Sequence, residues 1–81
     1  MAPEITIRQA TSADAFALRR LAALDDAPAL RGEVLLAEHA GDVRAALSLE
    51  NGRSIANPFA PTATLIELLR VHRAYAGTVA A

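Results

Sequence analysis

The sequence contains no cysteine and no tryptophan, and its aromatic side chains are limited to two phenylalanines and one tyrosine. The absence of cysteine excludes a disulfide framework, a thiolate zinc site and a cysteine nucleophile. No apolar run approaches the length of a membrane-spanning helix. The opening residues, Met1 to Glu4, lack the basic and apolar regions of a signal peptide. We therefore expect a cytoplasmic protein that does not enter a membrane.

Lysine is also absent, so that all eight basic residues are arginines, and the formal net charge is −1. These arginines are spread along the chain, whereas a nucleic-acid-binding domain has a positive net charge and clustered basic residues. We therefore expect no nucleic-acid partner. The frequent use of alanine, and of arginine in place of lysine, reflects genome base composition rather than function.

The hydrophobic fraction of 53% is well above that of disordered chains. The length suffices for one small domain, which we take to be residues 1–81. Ile5 to Arg8 alternates apolar and polar residues and predicts a strand. Thr11 and Asp14 have the spacing of a capping box, which predicts a helix from about Ala13 to Leu24. We expect Asp14 to be solvated on this helix, together with the Arg19-Arg20 pair.

The middle of the sequence predicts three further strands. Glu33 to His39 is apolar on both faces, as in an inner strand that is covered on both sides. Val43, Ala45, Leu47 and Leu49 alternate with Arg44, Ala46 and Ser48, which predicts the next strand with the first four residues on one face. Asn51-Gly52 predicts a type I′ hairpin turn, which needs positive φ at both central residues. Arg53 to Ala56 then forms a short last strand.

A final helix is predicted from Ala63 to about Ala76, with Thr62 as its N-cap and Gly77 as its stop. Leu65, Leu68 and Leu69 would form its buried stripe, and His72 would extend it or balance the dipole near the C-terminal end. The predicted fold is therefore α+β, in the order β-α-β-β-β-α. It has a four-stranded, mainly antiparallel sheet with two helices on opposite faces.

Two stretches of this sequence resemble the N-terminal half of GNAT-family acetyltransferases. The first is Ile5 to Thr11 followed by Asp14 and spaced leucines, which resembles the family's opening strand and helix. The second is Val34 to Glu38 with Gly41 and the following strand, which resembles the family's second and third strands around their glycine turn. The resemblance covers roughly residues 5–56. It implies half of a GNAT domain.

The resemblance fails at the loop that binds acetyl-CoA in this family. There, a loop of the form Arg/Gln-x-x-Gly-x-Gly/Ala offers backbone N–H groups to the pyrophosphate at a helix start. The matching stretch here, residues 57–63, has no glycine, and Pro58 and Pro61 lack the N–H. The family's later strand and its catalytic tyrosine have no counterpart in the sequence, since Tyr75 lies in the last helix. No catalytic or cofactor-binding residue is therefore assigned.

Other candidate site residues have simpler interpretations. His39 with Glu38 or Asp42 is the nearest approach to a metal site, but neighbouring strand residues point to opposite faces. We therefore assign no metal ligand. Asp25-Asp26 is interpreted as a solvated helix exit rather than a carboxylate pair. Thr62 and Thr64 are interpreted as helix-capping residues rather than an anion site, and Ser54 has no nearby general base.

These observations predict a non-catalytic GNAT-like module that associates with itself or with another protein. The partner is expected along the strand at residues 53–56, whose outer edge has no fifth strand to cover it. The alternative is an N-acetyltransferase or acyl-CoA-binding protein whose site a second subunit completes. Acetyl-CoA would be a ligand only under that alternative. A third possibility is a regulatory domain that binds another small ligand in the remaining cleft.

Overall fold

The structure, a computed structural model, describes residues 4–80 of the chain and the side chains of residues 4–75. The elements in chain order are strand β1 (Ile5–Gln9), helix α1 (Ala15–Leu24), strands β2 (Val34–His39), β3 (Asp42–Ser48) and β4 (Ser54–Ala56), and helix α2 (Ala63–Ala80). A short 3₁₀ turn, Ser12–Asp14, leads into α1. The predicted α+β class and the β-α-β-β-β-α order are confirmed.

The four strands form one sheet in the order β1-β2-β3-β4, and every neighbouring pair is antiparallel. The short connections after β2 and after β3 favour this arrangement, because antiparallel neighbours can be joined by tight turns, whereas β1 and β2 are joined through α1. The register places Leu36 of β2 opposite Ala46 of β3, and Ala46 opposite Ile55 of β4. Strands β1 and β4 are therefore the two edges of the sheet.

The two helices cover opposite faces of the sheet, as predicted from the apolar character of β2. On one face, α1 packs against the cluster Leu21, Ala22, Val34, Leu36, Ala46 and Ile55. On the other face, α2 packs against the cluster Ala37, Ala45, Leu47, Ala56, Leu65 and Leu69. Consecutive residues of β2 thus enter different clusters, because side chains alternate across a strand. In the described part of the chain, neither helix combines the length and apolar character needed to cross a bilayer.

The turn with two positive φ angles lies between β2 and β3 rather than at Asn51-Gly52. Ala40 (φ 53°) and Gly41 (φ 87°) join the paired residues His39 and Asp42. At the predicted site only Gly52 has positive φ, so the type I′ turn is wrong there. The β3–β4 connection is longer, because Ser48 Oγ accepts hydrogen bonds from the N–H groups of residues 50 and 51 and holds the chain in a wider loop.

Helix α2 does not end at Gly77 but continues to Ala80. A glycine within a helix costs only about 1 kcal/mol relative to alanine, so neighbouring residues can carry the helix through it. His72 consequently lies in the middle of the helix and is exposed, where its Nδ1 is 2.8 Å from the Leu68 carbonyl oxygen. The predicted placement of His72 near the helix end, where it would balance the dipole, is therefore wrong. It is Leu65 and Leu69 that are fully buried, while Leu68 is half-buried.

A β-bulge interrupts the pairing of β2 with β3. Ala37 pairs with Ala45, but the next pair is Glu38 with Val43, so that Arg44 has no partner in β2. Such a bulge turns two successive side chains toward the same face. Val43 accordingly packs with the α1 cluster, although Ala45 and Leu47 belong to the α2 cluster. The prediction that these three residues share one face is wrong for Val43.

Candidate functional site

An ion cluster joins the end of β1 to the start of α1 and to β2. Nη1 and Nη2 of Arg8 donate to the two carboxylate oxygens of Asp14 at 2.9 and 2.8 Å, and Arg8 Nε donates to Glu38 Oε1 at 2.5 Å. Asp14 also accepts from the Thr11 backbone N–H at 2.7 Å, as the acid of a capping box does. The prediction that Asp14 is solvated is wrong, since Asp14 is buried.

These hydrogen bonds fix the charge states of the cluster. The bonds from Arg8 and then from the Thr11 N–H hold the pKa of Asp14 well below its ordinary value. The carboxylates of Asp14 and Glu38 raise the pKa of Arg8 further above its already high value. Arg8 and Asp14 therefore exchange no proton near neutral pH, and their ion pair links β1 to the start of α1.

Of the residues considered as metal ligands, the structure brings His39 opposite Asp42 but engages Glu38 elsewhere. Glu38 is engaged by Arg8, whereas His39 lies opposite Asp42 and Ile5 in the strand register. His39 Nδ1 is buried without a hydrogen-bond partner among the described residues. Between residues 4 and 80, no three histidine, aspartate or glutamate side chains are close enough to share a metal ion.

Asp25, expected to be only a solvated helix exit, is exposed but bonded to the outer edge of β4. Its Oδ2 accepts from the Ala56 backbone N–H at 3.1 Å. Ile55 faces β3 in the ladder, so the N–H groups of Ser54 and Ala56 point outward. Asp25 satisfies one of these two donors. Asp26 ends α1 with a φ of 49° and stays exposed.

The outer edge of β1 is longer than that of β4. Ala10 N–H donates to Val34 of β2, and the Glu4 carbonyl accepts from Ala40 in the turn after β2. The alternation of the ladder therefore turns the backbone groups of Ile5, Ile7 and Gln9 outward. Among the described residues, the only partner of their outward groups is the guanidinium of Arg8, 3.5 Å from the Gln9 carbonyl oxygen. Both helices pack against the inner strands or β4, so β1 is the least covered strand.

The loop that follows β4 uses its backbone N–H groups internally. Asn57 N–H donates to the Arg44 carbonyl at 2.9 Å, Phe59 N–H to Asn57 Oδ1 at 2.9 Å, and Ala60 N–H to the Asn57 carbonyl at 3.3 Å. Pro58 and Pro61 have no N–H. Every donor of residues 57–61 is therefore occupied or missing. The Thr62 carbonyl starts α2 by accepting from Ile66 N–H, and Thr64 is exposed.

A cleft of about 600 Å³ opens between α1, the bulged start of β3 and this loop. The helix contributes a stripe of residues at positions 17, 20, 21 and 24, and β3 contributes Val43 and Arg44. Phe59 lies at its rim and is 83% exposed. The sequence prediction assigned none of these residues to a site. The helical spacing of Arg20 with Ala17, Leu21 and Leu24 was a signal that could have identified one of them.

Comparison with protein-family models, with curated proteins and with solved structures finds no match to this chain.

Proposed function

We propose that this chain is a non-catalytic, GNAT-like module of the cytoplasm that works by pairing with a second copy of itself. The observation that carries the proposal is the open edge of β1. Strand edges of this kind pair with other chains unless they are short, charged or covered. The edge of β4 is only three residues long, and Asp25 already holds its Ala56 N–H. The partner surface is therefore β1 rather than residues 53–56.

The outward groups of β1 are self-complementary about a two-fold axis through Ile7. In an antiparallel pair of β1 strands, Ile7 faces Ile7 of the second copy and Ile5 faces Gln9. Each outward N–H then donates to an outward carbonyl of the other copy, as in any antiparallel ladder. A two-fold interface requires this property, because the same surface serves both subunits. The net charge of −1 adds little repulsion between copies.

Apolar side chains beside β1 would add buried area to this pairing. Ile7 packs with the α2 cluster, so Ile5, two residues earlier, lies on the same face, and it is 43% exposed. On α2, Arg73 reaches the Leu49 carbonyl, one residue beyond the end of β3.

The loop after β4 supports a role without catalysis. An acyl-CoA site of the GNAT type needs free backbone N–H groups in the loop that leads into the following helix. Residues 57–61 have none to offer, as the hydrogen bonds within the loop show. Arg8 and Asp14 hold each other in their charged forms, because their hydrogen bonds raise the pKa of Arg8 and lower that of Asp14. Association is the activity that the remaining geometry favours.

The experiment is sedimentation velocity and light scattering of the chain from micromolar to millimolar concentration. Three variants are compared: Gln9→Pro, Ile5→Lys and Ser54→Pro. Gln9 and Ser54 both point their N–H outward, so proline at either position removes no hydrogen bond within the sheet. Ser54→Pro is thus the matched control on the other edge. Circular dichroism verifies that each variant is folded.

We expect a concentration-dependent dimer that Gln9→Pro and Ile5→Lys weaken and Ser54→Pro leaves intact. A monomer at every concentration would contradict the proposal. A dimer that only Ser54→Pro disrupts would instead assign the interface to β4. Titration of acetyl-CoA into the same sample is expected to give no saturable heat, and saturable binding would favour the acyltransferase alternative.

A further inference from the structure

The cleft beside α1 lies on the face of the sheet that α1 covers, and it has the size of a small-molecule site. Its volume of about 600 Å³ is within the range, roughly 300–1,000 Å³, of ligand pockets in proteins. It is lined by apolar side chains of α1 and β3, by two arginines and by the loop residues Asn57 and Phe59. None of these residues takes part in the proposed pairing of β1.

Two arginines give the cleft its charge. Arg20 has no ion-pair or hydrogen-bond partner in the part of the chain that the structure describes. Arg44 is 3.8 Å from Asp42, and the Asp42 side chain is largely solvated. This pair is long for a hydrogen bond and exposed, so it contributes little and leaves the Arg44 guanidinium available. With Asp42 included, the cleft retains an excess positive charge.

Beside these charged groups the cleft exposes a smaller apolar area, and the loop holds its position before any ligand arrives. Leu24 and Val43 contribute partly buried apolar side chains, whereas Leu21 is 2% exposed. The Asn57 side chain accepts from Phe59 N–H at 2.9 Å, which keeps the Phe59 ring at the rim of the cleft. A ligand that stacked on this ring would bury apolar area that is now in contact with water. Because the loop is already ordered, binding does not carry the entropic cost of ordering it.

We infer that this cleft binds a small anion with a flat apolar body, such as an aromatic carboxylate or an aryl phosphate. The guanidinium groups of Arg20 and Arg44 bind the anionic group, because the planar fork of arginine matches carboxylate and phosphate oxygens. The ring lies against Leu24 and beneath Phe59. Neither arginine is placed to accept a proton, so the site is one of binding and not of catalysis.

The inference is tested with three probes of matched shape: phenylacetate, phenyl phosphate and the neutral phenylacetamide. Binding is measured by calorimetry and by shifts of backbone amide signals in the NMR spectrum. The variants are Arg20→Gln, Arg19→Gln and Phe59→Ala. Arg19 adjoins Arg20 on the same exposed helix but does not line the cleft, so Arg19→Gln is the matched control. Arg20 rather than Arg44 is replaced, because Arg44 lies at the β-bulge whereas Arg20 is exposed on α1. We therefore expect Arg20→Gln to keep the fold.

We expect at least one anion to bind saturably, with signal shifts confined to α1, the start of β3 and residues 57–60. Loss of one charged hydrogen-bonding group weakens binding by about tenfold or more, so Arg20→Gln reduces the affinity while Arg19→Gln leaves it unchanged. Phe59→Ala also weakens it. The relative affinities of the carboxylate and the phosphate identify the anionic group. Equal binding of the neutral amide, equal effects at Arg19 and Arg20, or no saturation by any probe would overturn the inference.

Discussion

The β2–β3 turn places an alanine where the backbone favours glycine or asparagine. Ala40 has a φ of 53°, in the left-handed region, and its N–H donates to the Glu4 carbonyl at 2.9 Å. A residue with a Cβ loses roughly 1–2 kcal/mol in this conformation, whereas asparagine tolerates it through local hydrogen bonds. The replacement Ala40→Asn retains the backbone donor. We therefore expect it to stabilise the protein by about 0.5–1 kcal/mol.

Ala40→Gly should stabilise the protein less than Ala40→Asn, because glycine also increases the conformational entropy of the unfolded chain. The neighbouring position provides the opposite change. Gly41 has a φ of 87°, and a Cβ added there would meet no atom within 4 Å. Gly41→Ala therefore measures backbone strain without a steric clash, and it should destabilise by about 1–2 kcal/mol.

Thermal unfolding followed by circular dichroism tests both changes. For a domain of this size, 1 kcal/mol shifts the Tm by about 4–8 °C. Ala40→Asn should therefore raise the Tm by about 2–8 °C, and Gly41→Ala should lower it by about 4–16 °C. Ala29→Asn, the same change at an exposed position without positive φ, is the control. All variants are compared at one protein concentration, because self-association would stabilise the folded protein and make its Tm depend on concentration. A neutral or destabilising Ala40→Asn, or a neutral Gly41→Ala, would refute the reasoning.

Three further predictions follow from burial and hydrogen bonding. Leu69→Ala removes a fully buried side chain and should cost about 2–5 kcal/mol in urea unfolding, while the exposed control Val71→Ala changes little; equal effects would contradict the assigned core. The folded-state pKa of Asp14 is depressed, so its stabilisation is complete above its ordinary pKa of about 3.9 and is lost as the pH falls through and below that value. Asp14→Asn should therefore be less stable than the parent at neutral pH, and the difference should shrink in acid; a constant difference would argue against the ion pair. Asp25→Ala should raise hydrogen exchange at the Ala56 amide and cost up to about 1 kcal/mol, and unchanged exchange would show that this bond does not persist in solution.

The sequence was sufficient to predict the class, the element order and the placement of the helices on opposite faces. The helices were predicted on opposite faces because Val34 to Ala37 are apolar on both sides of the strand. Consecutive strand residues point to opposite faces, so both faces had to be covered. Leu36 indeed joins the α1 cluster, and Ala37 joins the α2 cluster. Local patterns of this kind survive folding since they depend only on strand geometry.

Predictions that depended on tertiary contacts failed. Asp14 is typical of a solvated first helical turn, but it is buried and bonded to Arg8 of β1. Arg8 in turn bonds to Glu38 of β2. Gly77 is typical of a helix stop, but no sequence rule shows whether the helix continues past it. Asn51-Gly52 is a strong hairpin signal, yet Ser48 Oγ organises a wider loop there. In each case a contact between distant residues, or the balance of small local energies, outweighed the local signal.

The cleft shows most clearly why the candidate site was not predictable. Its β3 wall exists because a bulge turns Val43 to the face of Arg44, although the sequence from Val43 to Leu47 alternates as in a regular strand. The bulge inserts one residue without any glycine or proline to mark it in the sequence. The α1 wall could be recognised in the sequence, because Arg20 lies on the same face of the helix as Ala17, Leu21 and Leu24. An arginine within an apolar stripe is unfavourable for packing, so it is expected where the helix borders a cleft rather than a core.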